Sequence, residues 1–98
     1  MNPYDIYLAE VPFEDVEGAK VRPILILEDK ACLISCLPIT SNTARSEDYI
    51  IKKWKEAGLK KPSAIRILNV LELDVSMIDR KIGTLHPVDI IGIQNRLW

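Results

Sequence analysis

A mainly β domain, built as a small, partly open barrel of about five to seven strands with a C-terminal helix, is the fold class the sequence predicts. Strand-forming runs of a few residues recur from Asp5 to Leu85, separated by short stretches rich in Pro, Gly, Asn or Asp. Only after Pro87 do apolar residues fall at spacings of three and four, the period of a helix. With 98 residues, the chain makes one domain, 1–98, with a modest core that pairing with a second copy could reinforce.

Asp5-Ile6-Tyr7-Leu8-Ala9-Glu10-Val11 is the first strand, ending at Pro12, which supplies no ladder donor. Residues 13–20 mix acids with a glycine and read as a loop. In Lys20-Val21-Arg22-Pro23-Ile24-Leu25-Ile26-Leu27 a cation and a proline precede consecutive aliphatic residues, the pattern of a strand buried on both faces. Glu28-Asp29-Lys30 reads as a polar turn, and Ala31 to Ile39 as the next strand, finishing in Thr40-Ser41-Asn42-Thr43. Tyr49-Ile50-Ile51 is a short strand candidate, and Ser63 to Leu71 returns to the β pattern, with Arg66 and Asn69 expected on opposite faces. Asp74 can cap a helical turn at Val75-Ser76-Met77-Ile78, and Lys81 to Leu85 forms a last strand. The helix that follows has Pro87 in its first turn and Asp89 at the positive end of its dipole. His86 is a poor capping residue and Gly92 weakens the helix, so packing by Ile93, Leu97 and Trp98 on the barrel or on a second chain must stabilise it.

A formal net charge of −1 carries no global basic footprint, so any nucleic-acid contact must come from a local concentration of Lys and Arg. No apolar run reaches the ~20 residues of a membrane span and the N-terminus has no signal-peptide pattern, so a cytoplasmic protein without membrane contact is expected. Cys32 and Cys36 read as free, mostly buried thiols; a metal or redox pair would want C-x-x-C spacing and nearby histidines.

Pro23 locks its own φ and biases Arg22 towards extended backbone, so the guanidinium projects from a rigid strand mouth, either as a solvated edge residue or as a positioned site. The hydroxyls and amide of Thr40, Ser41 and Asn42 read first as plain turn chemistry, since such side chains bond their own backbone readily. Lys52-Lys53-Trp54-Lys55 could stack and pair with nucleic acid, or be a solvated strand end with Trp54 covering the core edge. Leu59-Lys60-Lys61 forms a second basic loop between Gly58 and Pro62. His86, the single histidine, is tied by sequence to no carboxylate or nucleophile, which favours a surface helix start over a catalytic role.

Tyr4 to Leu8, Phe13 with its acidic loop, Lys20 to Leu27, Leu37-Pro38-Ile39-Thr40-Ser41-Asn42, Leu59 to Ser63 and Lys81 to Pro87 occur in an order that resembles the MazF/PemK toxin family. The likeness spans nearly the whole chain. Arg-Pro before an aliphatic strand, combined with Pro-Ile-Thr-Ser after the next, carries it best. The resemblance implies an SH3-like barrel, usually a homodimer, acting as the endoribonuclease toxin of a type II toxin–antitoxin system. Such a protein cuts single-stranded RNA with no metal or other cofactor and is neutralised by a cognate antitoxin. Residue by residue, it implies catalytic roles for Arg22 and Thr40 and, in the acidic loop, for Glu17, with Lys20, Ser41 and Asn42 as RNA-binding candidates. Glu14, Asp15 and Glu17 offset Lys20 and Arg22, so one subunit has few basic residues for RNA unless a dimer groove adds more. The alternatives are a barrel of the same shape that only binds protein or nucleic acid, and a module for proline-rich peptides, which would need an aromatic-lined groove.

Overall fold

The structure is a computed structural model that describes residues 1–12 and 19–97. Among these residues seven strands form one antiparallel arrangement: β1 (Asp5–Pro12), β2 (Ala19–Lys30), β3 (Leu33–Thr40), β4 (Tyr49–Ile50), β5 (Ala64–Ile65), β6 (Leu71–Asp74) and β7 (Ile78–Thr84). Among the described residues one helix, α1 (Pro87–Leu97), follows the strands, as the change of period predicts. Hydrogen-bonded neighbours run β4-β5-β3-β2-β1-β7, and β6 pairs with β3 off that path.

β2 is the longest strand and separates two apolar clusters. Ile24 and Ile26 pack with Ile34 and Cys36 on one face, whereas Leu25 packs with Leu37, Ile65 and Leu85 on the other. The alternation of a strand sends successive side chains to opposite faces, and a continuous aliphatic run therefore fills both. Ile93 of α1 and the half-buried Leu97 belong to the second cluster; Trp98 lies outside the described residues.

Several expectations about local structure are corrected. Glu28-Asp29-Lys30 is strand, because a bulge between Ile26 and Glu28 shifts the β2–β3 register and carries pairing on to Lys30↔Leu33. The reversal falls at Ala31 (φ 72°) and Cys32, with Asp29 Oδ1 accepting from the Ala31 N–H at 2.9 Å. Cys32 is consequently exposed rather than buried; Cys36 is buried, and burial pushes its thiol up to about 11. The single strand expected over Ser63 to Leu71 is broken in two. β3 pairs with β6 through Leu33–Cys36 and with β5 through Ile39–Thr40, so the intervening residues leave the ladder in a turn where the Asn69 N–H bonds to Arg66 O at 3.1 Å.

Asp74 caps a short 3-10 turn over Val75–Met77, as expected, by accepting from the Ser76 N–H at 2.9 Å. His86 is a better helix start than its residue type suggested: its Nδ1 accepts from the Val88 N–H at 3.1 Å, the bond that Ser or Asp ordinarily provides. Asp89 lies in the first turn of α1, as expected. It is fully buried and accepts from Tyr49 Oη at 2.7 Å and from the backbone N–H groups of Lys52 and Lys53 at 2.8 and 2.9 Å. Burial, followed by that hydrogen bond, holds the Tyr49 phenol above its ordinary pKa. Gly92 owes its place to Tyr49, whose ring occupies the space a Cβ would need.

Candidate active site

The β2–β3 ladder ends at Ile24↔Pro38, and Arg22 and Thr40 each lie two residues beyond that pair, at neighbouring ends of the two strands. Both side chains line a pocket of about 280 Å³, together with Ser41. Pro23 fixes the strand mouth on one side; the Asn42 N–H bonds Thr40 Oγ1 at 3.1 Å on the other. That bond uses a lone pair of the hydroxyl and leaves its proton free to be donated.

Leu8, Pro23, Ile39, Leu59 and Ile82 give the pocket apolar walls, and Ser63 adds a hydroxyl. Lys60, Lys61 and Arg80 join Arg22 around it, and among the described residues no carboxylate lines it. These further cations come from segments remote in sequence, whereas Glu14, Asp15 and Glu17, the acids expected to offset Lys20 and Arg22, lie outside the described residues. A cluster of fixed positive charge against low-dielectric walls favours a polyanion.

The lysines arrive on the basic loop noted in the sequence. Lys52 to Gly58 forms turns instead of a strand end, with the half-buried Trp54 packed on the core and Lys55 Nζ 5.4 Å from its ring centre. Asp89 holds the start of this loop, and Gly58, at φ 91°, holds its end against the backbone of β7. Arg80 comes from an irregularity in the β1–β7 pairing. Between Tyr7↔Lys81 and Ala9↔Ile78, Asp79 and Arg80 stand opposite Leu8 alone, so the strand bulges and aims Arg80 at the pocket. Sequence reasoning missed Arg80, since neither composition nor spacing announces a bulge whose partner lies some seventy residues earlier.

The other site candidates are distributed differently. Glu17 falls outside the described residues. Lys20 is exposed on β2, and its Cα partner is Val11; it is not among the residues lining the pocket. Asn42 spends its side-chain oxygen on the Ala44 N–H at 3.1 Å, the turn chemistry its residue type allows. Among the described residues, no group of three or more His, Cys, Asp or Glu could hold a metal ion. No helix there is long and apolar enough to cross a membrane.

A search by sequence among curated proteins found no match. Among solved structures, the Mycobacterium tuberculosis toxin MazF-mt6 superposes with a TM-score of 0.76 at 21% identity, covering 95% of this chain and 91% of that one. An endoribonuclease in complex with its cognate antitoxin, from mycobacterial species, superposes with a TM-score of 0.71 at 14% identity, covering 96% and 85%. At these identities the likeness establishes the fold alone. A family model for the PemK-like, MazF-like toxin of type II toxin–antitoxin systems matches residues 2–98, and the chain belongs to that family.

Proposed function

We propose that this toxin is an endoribonuclease that cleaves single-stranded RNA without a metal ion, through attack of a ribose 2′-hydroxyl on the adjacent phosphate. The observation that carries the reading is the meeting of Arg22 and Thr40 in one pocket ringed by Lys60, Lys61 and Arg80. In the reaction the 2′-oxygen loses its proton and bonds to phosphorus, the bond from phosphorus to the 5′-oxygen breaks, and that oxygen takes up a proton from water. The products are a 2′,3′-cyclic phosphate and a 5′-hydroxyl. The intervening phosphorane gains negative charge, and positioned donors stabilise it more than they stabilise the ground state.

Arg22 suits that task because its planar fork of donors matches phosphate oxygens. Its high intrinsic pKa fits charge stabilisation better than proton donation. Thr40, held from behind by Asn42, donates a hydrogen bond from its hydroxyl to the same phosphate. Lys60, Lys61 and Arg80 hold the flanking phosphates. Glu17, from the acidic loop, is assigned the 2′-hydroxyl proton. Base unpairing is required because the cleft must admit the sugar edge of a single strand.

The cognate antitoxin is the expected regulatory partner, by analogy with the mycobacterial endoribonuclease solved with its own. A homodimer is the expected assembly, supported by Val88 and Ile91, which lie one turn apart on α1 and are exposed at 42% and 58%. The deciding experiment incubates the purified toxin, freed of antitoxin, with a broad transcript pool in EDTA. Cleavage of unpaired RNA leaving cyclic phosphate ends is expected. Strict dependence on an added divalent ion would overturn the mechanism, and no cleavage of any transcript would reduce the barrel to a binding module.

A further inference from the structure

A second, smaller cleft of about 130 Å³ is lined by Arg45, Glu47, Asp48, Arg66, Leu68 and Asn69. It exists because β3 changes partners: the residues released between β5 and β6 turn back towards the segment that precedes β4. Arg66 and Asn69, expected on opposite faces of a strand, both line it for that reason.

Asp48 gives the cleft its chemistry. Its side chain is only 3% exposed, and its Oδ2 has no hydrogen-bond partner among the described residues. The nearest cation, Arg45 Nε, stands 3.8 Å away, beyond hydrogen-bond reach, and the Arg45 guanidinium pairs instead with Glu47 at 2.9 Å. A buried carboxylate oxygen without a donor is costly, so the cleft calls for a donor from a water or from a ligand that displaces it. The Arg45 side chain, 43% exposed, can swing aside to admit one.

The ligand class follows from the balance of charge. Arg45 and Arg66 are matched by Glu47 and Asp48, so this cleft is not an anion trap like the larger pocket. It offers donors and acceptors side by side, next to the apolar Leu68, which is 76% exposed. A neutral, flat molecule with an amino group and ring acceptors fits that pattern, as the edge of a nucleobase does. Aspartate accepts from an exocyclic amine, while Arg and Asn donate to ring nitrogens and carbonyls. Distance supports the same strand serving both sites, since Ser63 of the larger pocket and Arg66 of the cleft are three residues apart along one segment, a reach of at most ~11 Å.

We infer that the Asp48 cleft is a specificity subsite that takes an unpaired, amino-bearing base of the RNA strand, one or two nucleotides from the scissile phosphate, and rejects uracil there. The inference rests on the proposed ribonuclease reading. The test presents wild type, Asp48→Asn and Asn69→Ala with RNA randomised around the cut. In parallel, it measures binding of short oligonucleotides carrying 2′-deoxyribose at the cleavage point, with each base in turn at each neighbouring position. Wild type should disfavour uracil at one position by roughly tenfold or more in both readouts, and Asp48→Asn should abolish that preference while melting as a folded protein. Should Asp48→Asn fail to fold, Asn69→Ala, a change at an exposed residue, should still weaken the preference. Folded variants that keep the wild-type preference overturn the subsite and leave the ribonuclease reading intact. If wild type binds the oligonucleotides with the Asp48-dependent preference yet cleaves nothing, the ribonuclease reading fails and the subsite stands. If it binds none of them, both fall.

Discussion

Gly83 of β7 and Gly58 of the lysine loop pack backbone against backbone. A Cβ on Gly83 would run into the carbonyl of Ala57, and one on Gly58 into the carbonyl of Ile82. This contact sets the loop carrying Lys60 and Lys61 against the strand carrying Arg80, so the basic rim of the pocket depends on two absent side chains. Gly83→Ala is expected to force the segments apart at a cost of about 1 to 3 kcal/mol, typical of overpacking. Gly58→Ala adds the strain of a residue other than glycine at φ 91°. Thermal melts should show both losses, and RNA affinity should fall with them. Gly83→Ala with an unchanged melting curve would mean that the loop moves freely away from β7.

The other end of the same loop is tied by Asp89, whose acceptors are all used inside the fold. Tyr49→Phe removes one donor from a buried carboxylate and should cost about 1.5 to 3 kcal/mol, the range for hydrogen bonds to charged groups. For a domain of this size that corresponds to about 4 to 8 °C in Tm per kcal/mol. Asp89→Ala should cost more, because it strands the phenol and the N–H groups of Lys52 and Lys53 together. Denaturant titration of both variants measures the difference directly.

Elements set by local chemistry are legible in the sequence, and those set by distant pairing are not. Pro23 ahead of an aliphatic run marks β2 and the position of Arg22, since a proline-fixed strand start is a local property. The 3-10 turn after Asp74 and the helix from Pro87 are local in the same sense. By contrast, the bulge that extends β2 to Lys30, the partner exchange that breaks the Ser63–Leu71 run and the bulge that aims Arg80 are set by register with strands elsewhere. For the same reason Lys60 and Lys61 are recognisable as a basic loop in sequence, yet nothing local says that they border the pocket of Arg22.

Arg80 supplies a third prediction. If it holds a phosphate flanking the cut, Arg80→Gln should weaken RNA binding about equally for all sequences and lower the slope of log K against log salt by about 0.7, the single-strand value for one phosphate contact. Base preference should stay as in wild type. Filter binding across a salt series provides the measurement, and an unchanged slope removes Arg80 from the RNA path.

Acid stability depends in part on Asp5 at the start of β1. Burial opposes its charge, but hydrogen bonds from Thr84 Oγ1 and the Asn2 N–H and the nearby Lys81 ammonium outweigh it, holding the carboxyl below its ordinary 3.8. A depressed folded pKa contributes stability that is fully present above the ordinary value and is lost as pH falls through the folded one. Wild type should therefore melt above Asp5→Asn at pH 7, and the gap should narrow as pH drops below about 4. A gap that widened in acid would reverse the sign and discard the assignment.

The final prediction separates catalysis from binding at Arg22 and Thr40, which line one pocket from β2 and β3. Arg22→Lys keeps a positive charge at the strand mouth but loses the planar fork, so RNA should bind with modest weakening while cleavage falls by orders of magnitude. Thr40→Val removes the hydroxyl at nearly constant shape. One lost transition-state donor typically costs ~2.7 to 4 kcal/mol of activation energy, roughly a hundredfold to a thousandfold in rate. Because Thr40 is only half-buried and its Oγ1 accepts a single local bond from Asn42, the fold should lose little, and melting curves check this. Single-turnover cleavage measured beside equilibrium binding gives the required split: kcat should collapse in both variants while Kd moves little. If both variants cleave like wild type with unchanged melting, neither residue stabilises the transition state, and the chemistry must be sought among Lys60, Lys61 and Arg80 in the same pocket.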